Sequence, residues 1–230
     1  MQLFFLENPN DEIVLSTDES KHISKVLRKK TKDILNFTDG KGNLFIGEIT
    51  NSKEKNIQVK IINKEVKEKQ HDYYLHIAIA PPKNIDRFEW FLEKATEIGI
   101  DEITPIICER SERKIIKKER GKRILVSAIK QSLKCHLPKL NETIKFKDFI
   151  NQEFIGSKYI AHCNYKQKKN ELKTIENIKK TLILIGPEGD FTEKEIKTAL
   201  ENQFHSISLG RNRLRTETAA IIAVHTINIK

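Results

Sequence analysis

The sequence predicts an α/β protein in two parts, a small β-rich domain followed by a larger one in which strands and helices alternate. Three observations carry this. Short apolar or alternating segments separated by turn residues fill the first seventy positions, the pattern of a small all-β unit. A polar and charged run at residues 63–72 then marks a linker or an exposed crossing. Beyond it, strands such as Leu182-Ile183-Leu184-Ile185 are apolar on both faces, as a parallel sheet covered by helices requires. The boundary falls near residue 71, which gives domains 1–71 and 72–230.

In the first part, residues 3–6, 13–15, 33–38, 44–50 and 57–62 read as strands, with Thr38-Asp39-Gly40-Lys41-Gly42-Asn43 as a hairpin turn between two of them. A small β-barrel is the natural closure. Its glycine pair leads into a strand and does not open a helix, so it is no nucleotide loop. Ser16 and Glu19 stand at capping-box spacing before one helix, whose apolar stripe is Ile23, Val26 and Leu27. In the second part, residues 74–80 form a strand. Phe88, Phe91, Leu92, Ala95 and Ile98 follow at helical spacing and stop at Gly99. Next come a strand at 102–107, a helix around 121–133, and strands at 157–162 and 181–185. A helix at 192–202, a strand at 206–209 and a last helix from about Arg215 complete the chain.

Charge narrows the partner. The net value is +10, from 42 Lys and Arg against 32 Asp and Glu, and favours a polyanion over an acidic protein or a neutral metabolite. It is concentrated in two places. Residues 21–32 carry Lys21, Lys25, Arg28, Lys29, Lys30 and Lys32 with no carboxylate, and residues 113–123 carry seven basic residues against Glu119 alone. Solvated lysine-rich faces would read the same way. No apolar run approaches the roughly 20 residues that cross a bilayer, and the N-terminus lacks the basic and apolar regions of a signal peptide. A cytoplasmic protein is expected. Cys108, Cys135 and Cys163 are odd in number and widely spaced, which argues against a disulfide framework. The adjacent pairs Cys135-His136 and His162-Cys163 lack zinc-ligand spacing, so core cysteines and no metal are expected.

In an open α/β sheet ligands bind beyond the carboxyl ends of the strands. Three segments there are unusual. Gly186-Pro187-Glu188-Gly189-Asp190-Phe191 makes a sharp turn before Thr192, a good N-cap. Gly210-Arg211-Asn212-Arg213-Leu214-Arg215-Thr216-Glu217 is an arginine-rich turn opening a helix, and Cys108-Glu109-Arg110-Ser111-Glu112-Arg113 leads into the second basic patch. These loops suit an anionic or nucleotide-like ligand, although loop arginines are also solvated or structural in many proteins. Neither G-x-G-x-x-G nor G-x-x-x-x-G-K-[ST] occurs, which disfavours a dinucleotide fold and a P-loop NTPase. No nucleophile pair of the Ser–His–Asp or Cys–His kind is evident from spacing.

Taken in order, these motifs resemble the RsmE family of ribosomal RNA uridine-N3 methyltransferases. The strings are Leu184-Ile185-Gly186-Pro187-Glu188-Gly189 with Phe191-Thr192 and Glu195, then Ser208-Leu209-Gly210 through Leu214-Arg215-Thr216-Glu217-Thr218-Ala219. Upstream, Lys83 with Asp86-Arg87-Phe88-Glu89-Trp90, Glu93 to Gly99, Arg110-Ser111-Glu112, and His22 with Val26-Leu27-Arg28 extend the resemblance over nearly the whole chain.

The resemblance implies a SPOUT-type trefoil-knotted methyltransferase domain behind an N-terminal PUA-like small β-barrel. It also implies a homodimer, S-adenosylmethionine as methyl donor without a metal, and N3 of a uridine in 16S ribosomal RNA of the small ribosomal subunit as acceptor. On it, Ile185, Gly186, Gly189, Leu209, Gly210 and Leu214 surround the adenosyl group, and Glu217, Thr218 and Ala219 close the knot. Arg110 and Arg215 become candidates for stabilising charge on the base, with Glu188 and Glu217 weighed as proton acceptors. Lys21, Lys25, Arg28, Lys29 and Lys32 of the first patch, and Arg113, Lys114, Lys117 and Lys118 of the second, become candidates for RNA phosphates. One departure stands beside the pocket: many members have glycine where this chain has Asp190. A related knotted enzyme acting on ribose 2′-hydroxyls or on transfer RNA, and a non-catalytic RNA-binding assembly factor, remain alternatives.

Overall fold

A computed structural model describes residues 2–53, 55–164, 168–176 and 179–230. The chain resolves into two compact units, Met1–Lys69 with Val126–Leu137, and Gln70–Leu125 with Pro138–Lys230.

The first unit holds a five-stranded mixed sheet of β1 (Leu3–Phe5), β2 (Glu12–Val14), β3 (Ile34–Thr38), β4 (Asn43–Lys53) and β5 (Asn56–Val66), in the order β1-β3-β4-β5-β2. Only the β1–β3 pairing is parallel. The last strand runs further than the sequence suggests. Residues 63–65 are polar and the stretch looks like linker, yet Asn63 pairs with Ile46 and Val66 with Asn43. An antiparallel ribbon closes its ladder without needing a buried face. A register shift falls between Ile46 and Gly47, where a Cβ would lie 2.4 Å from Val59 Cγ1, so only glycine lets the strands approach. Phe4, Ile23, Leu35, Phe37, Ile49, Ile57 and Val59 form the core.

Helix α1 (Thr17–Lys21) starts on Ser16, whose Oγ accepts from Glu19 N at 3.3 Å, as the capping-box spacing predicts. It continues as a π-helical turn, His22–Val26, with Leu27 N donating to His22 O. The wider turn buries Ile23 but rotates Val26 outward to 66% exposure, so Val26 does not join the apolar stripe expected of it. The segment Val126–Leu137 clusters with this unit. Cys135 O accepts from Gly42 N at 2.8 Å and from Thr38 Oγ1, and Leu137 N donates to Gly40 O.

The second unit is built on β6 (Tyr74–Ile79), β7 (Glu102–Ile107), β10 (Ser157–Ala161), β12 (Lys180–Ile185) and β13 (His205–Ser208), extended by the two-residue strands β8 (Lys139–Leu140), β9 (Ile144–Lys145) and β11 (Asn170–Glu171). The order is β11-β13-β10-β12-β6-β7-β8, with β9 also pairing β7, and every pairing is parallel. Helices α2 (Ile85–Ile98), α4 (Phe146–Phe149), α5 (Glu193–Glu201) and α6 (Thr216–Asn228) complete the set, with the first half of α3 (Lys118–Gln131), whose residues from Val126 on cluster with the first unit. The short strands and α4 carry no period long enough to read in sequence.

Both faces of this sheet are covered. Leu182 and Leu184 pack with Phe146, Phe149, Phe191, Ile196 and Phe204. On α6, Ala220, Ala223, Val224 and Ile227 are buried, and this helix packs on α2, β6 and β12. From β6 the chain moves out to β7 and β8, then returns to lay β10 and β12 on the other side, so connections diverge on either side of β12 and β6. Ligands in such sheets bind at this point of divergence, beyond the carboxyl ends.

A buried polar network lies in β6 and β7. His76 Nε2 is 2.7 Å from Thr104 Oγ1, and Asn141 Nδ2 donates to Thr104 Oγ1 and to Glu102 Oε1. Burial pushes the His76 imidazole down to about 4, against the opposing pull of Glu102. Burial acts to raise Glu102, but hydrogen bonds from Asn141, Lys139 and Tyr74 outweigh it and hold the carboxyl at about 2. Between pH 6.5 and 4 the unfolded chain therefore binds a proton at His76 that the folded chain does not, and stability falls as pH drops through that window. Loss of the Glu102 contribution follows from about 4.5 down to 2. Denaturant unfolding at pH 7 and pH 5 should show a His76-dependent loss of about 2 kcal/mol. A His76→Gln variant should lose about that much less over the same interval, and equal losses in both would assign the acid sensitivity elsewhere.

Candidate functional site at the carboxyl edge of the parallel sheet

The loops leaving β10, β12 and β13 enclose a cavity of about 470 Å³. The turn after β12 lines it, buried at Gly186 and Pro187 and exposed at Glu188 and Gly189, and buried backbone there must find partners as strand pairing ends. Five successive carbonyls are taken up by donors from four segments. Ile185 O accepts from Ala80 N at 2.9 Å, Gly186 O from Thr216 Oγ1 at 3.0 Å, and Pro187 O from Asp190 N at 2.9 Å. Glu188 O accepts from Arg213 Nη2 at 3.4 Å and Gly189 O from Arg110 Nη1 at 2.7 Å. The Glu188 carboxylate accepts from Lys83 N at 2.9 Å. One turn is thereby tied to the segments after β6, after β7 and before α6.

The next helix is anchored as firmly. Thr192 and Glu195 form a complete capping box at the start of α5, and the buried Glu195 carboxylate also accepts from Glu109 N at 2.9 Å. Apolar contact in the cavity comes from Ile185, Ile207, Leu209 and Leu214. Gly210 stands at φ +135°, and a Cβ there would meet no heavy atom within 4 Å, so its requirement is conformational and not steric.

A second wall comes from the loop after β10. His162 is buried, with Nε2 2.9 Å from Ser206 Oγ, and burial followed by the nearby Lys169 ammonium keeps its imidazole below the ordinary range. Lys169 Nζ donates to His162 O at 3.0 Å, and Cys163 N donates to Asp190 Oδ2 at 2.8 Å. Cys163 is exposed, contrary to the expectation that all three cysteines belong to the core, because it sits on this loop past the end of its strand. Cys108 is buried, and burial pushes its thiol well above the usual range. Among the described residues no group of three or more His, Cys, Asp or Glu could hold a metal.

Residues 69–228 match the RNA methyltransferase domain family, and residues 15–62 match the RNA methyltransferase PUA domain family. The chain is 30% identical to the ribosomal RNA small subunit methyltransferase E of Mesomycoplasma hyopneumoniae over 96% of each chain. The chain belongs to the ribosomal RNA small subunit methyltransferase E family. Two solved structures agree with it throughout. A probable rRNA-methyltransferase from Porphyromonas gingivalis, 38% identical, superposes with a TM-score of 0.93 over 100% of this chain and 98% of that one. The ribosomal RNA small subunit methyltransferase E of Neisseria gonorrhoeae bound to S-adenosyl methionine, 25% identical, gives 0.87 over 100% and 97%.

With family membership established, each residue singled out in the sequence has a place. Ile185, Gly186, Leu209, Gly210, Leu214, Arg215 and Ala219 line the cavity. Gly189, Glu217 and Thr218 do not. Gly189 lies against the aliphatic part of Arg110, where a Cβ would come within 3.3 Å. Glu217 is buried in the first turn of α6, 3.8 Å from Arg87 Nε, and its Oε2 has no hydrogen-bond partner among the described residues. Of the two candidate proton acceptors, Glu188 lines the cavity and Glu217 does not. The two candidate catalytic arginines also separate: Arg215 borders the cavity as the exposed N-cap residue of α6, whereas Arg110 lies outside the lining and holds Gly189 O.

In the first basic patch Lys21, Lys25, Arg28 and Lys32 are exposed and Lys29 is half-buried, with Arg28 and Lys32 at positive φ. In the second, Lys114 and Lys117 are exposed, but Lys118 pairs with Glu142 at 2.7 Å and Arg113 donates to the carbonyls of Pro82 and Lys83. Arg113 thus braces a loop. Sequence reading missed Arg87, His162, Cys163 and Lys169 as lining residues. The last three follow a strand and satisfy the carboxyl-end rule, but no glycine or arginine cluster draws attention to them. Gly210→Ala should cost about 1–3 kcal/mol through backbone strain alone. Thermal unfolding together with calorimetric titration of S-adenosylmethionine checks this, and a variant that is unchanged in both would mean the loop readily adopts another conformation.

Proposed function

We propose that this protein methylates N3 of a uridine in 16S ribosomal RNA of the small subunit, with S-adenosylmethionine as methyl donor. The observation that carries this reading is the cavity at the carboxyl edge, walled by the turn after β12 and the arginine-rich turn before α6, in a chain of this family. The cavity fits the donor. At about 470 Å³ it falls within the roughly 300–1,000 Å³ of small-molecule sites, and its lining combines four aliphatic side chains with the backbone of Gly186 and Gly210. When bound, S-adenosylmethionine supplies a methyl group activated by its sulfonium.

This chain's own residues do the rest. Gly186 and Gly210 with Leu209 and Leu214 hold the adenosyl moiety, and Glu217, Thr218 and Ala219 form the helix start that closes the site from behind. Thr216 Oγ1 on Gly186 O and Arg213 on Glu188 O bring the segment before α6 against the turn after β12, which supports a trefoil knot there. Arg215 would face the uracil oxygens, where a guanidinium favours the base after loss of its N3 proton. Arg110, tethered to Gly189 O outside the cavity lining, is the weaker candidate for that role. N3 lies on the Watson–Crick edge, so the target nucleotide must be unpaired or turned out. The N-terminal unit, closed as a PUA-like barrel, would hold RNA phosphates through Lys21, Lys25, Arg28, Lys29 and Lys32, and the catalytic part would do so through Lys114 and Lys117. A homodimer acting in the cytoplasm, with domains 1–71 and 72–230, completes the reading.

Small ribosomal subunits from cells lacking this protein should accept labelled methyl groups from S-adenosylmethionine and yield 3-methyluridine on nucleoside analysis. Label on a ribose or another base would replace N3 as the acceptor, and RNA binding without label would remove the enzymatic reading. Arg215→Ala should lower kcat about 10²–10³-fold while leaving RNA affinity within about threefold. Equal losses in both would make Arg215 a binding residue.

A further inference from the structure

We infer that Asp190 is a positioning residue for the methyl-donor pocket, clamping the loop that leaves β10 onto the turn that leaves β12. The inference rests on the reading of the cavity given above.

Strands β10 and β12 are neighbours, and their ladder ends at the pair Ala161 and Ile185. Beyond that pair both chains line the cavity, His162 and Cys163 from one and Gly186, Pro187, Glu188 and Asp190 from the other. A carboxylate continues the cross-connection where backbone pairing has stopped. Asp190 Oδ2 accepts from Cys163 N at 2.8 Å, and Asp190 Oδ1 accepts from Phe191 N at 2.8 Å. Its own N–H closes the turn on Pro187 O. Both oxygens and the amide are thus committed, and the side chain is held in a single arrangement.

The backbone of Asp190 is left-handed, with φ at +61°. Most side chains lose roughly 1–2 kcal/mol in that region, and aspartate is among the few that enter it readily because its short carboxylate bonds to nearby backbone. Here the carboxylate does that and also reaches the adjacent loop. On that loop Lys169 Nζ holds His162 O at 3.0 Å, so consecutive residues of one wall are gripped by two charge-assisted bonds of opposite sense. A residue tolerated for its backbone conformation therefore also sets the width of the pocket.

The test compares Asp190→Gly with Asp190→Asn. Glycine accepts φ +61° without strain but removes both acceptors, whereas asparagine keeps an amide oxygen for Cys163 N. Calorimetric titration of S-adenosylmethionine should show about tenfold weaker binding for Asp190→Gly and a change within about threefold for Asp190→Asn. Wild-type affinity in Asp190→Gly would overturn the clamp, and equal losses in both variants would replace it with a direct role for the negative charge. Hydrogen exchange at the Cys163 amide needs no cofactor and separates this inference from the reading of the pocket. Exchange should be at least tenfold faster in Asp190→Gly than in wild type. Unchanged exchange overturns the clamp, whereas faster exchange in a protein that binds no S-adenosylmethionine would uphold the clamp and remove the pocket assignment.

Discussion

The carbonyls of residues 185–189 dictate much of the second unit. A parallel strand buried on both faces is satisfied by its neighbours only while the ladder lasts. At its carboxyl end the chain must turn, and each buried oxygen left behind, as at Gly186 and Pro187, needs a new donor or costs about 1–3 kcal/mol. Here the donors come from Ala80, Thr216, Asp190, Arg213 and Arg110. Asp190 lies in the turn itself; the other four lie in three segments far apart in sequence, so one strand end draws together the segments after β6, after β7 and before α6. The pocket is the space left where they converge.

The same accounting explains which parts of the fold were legible in sequence. Strand β12 carries a continuous apolar run and β6, β7, β10 and β13 carry shorter ones, which place all five within a residue or so, and the caps at Ser16, Gly99 and Thr192 use residue types whose chemistry announces itself. The π-helical turn at His22–Val26 was not legible, because its one extra residue changes which side chain faces inward without altering composition. Nor was the pairing of residues 63–66, where polar side chains disguise a ladder made by backbone. Assignment of Val126–Leu137 to the first compact unit depends on bonds such as Gly42 N to Cys135 O, which join positions more than ninety residues apart.

Motif glycines and the arginine-rich turn point to the loops that line the cavity, yet residue type alone does not separate roles. Arg215 and Arg110 look equivalent in sequence, but one borders the cavity and the other is spent on a carbonyl. Arg113 and Lys118 add to the formal charge of the second patch, although the first braces the loop after β6 and the second is balanced by Glu142. Net charge describes the field felt at a distance. It does not say which cations are available to a phosphate at contact.

The three thiols differ in a way that has a practical side. Cys108 and Cys135 are enclosed, while Cys163 is open to solvent on a wall of the cavity. Burial raises the thiols of both enclosed residues, which slows their reaction with electrophiles further. Of the three thiols, only Cys163 is thus addressable, and a dye attached there would sit within reach of whatever enters the pocket.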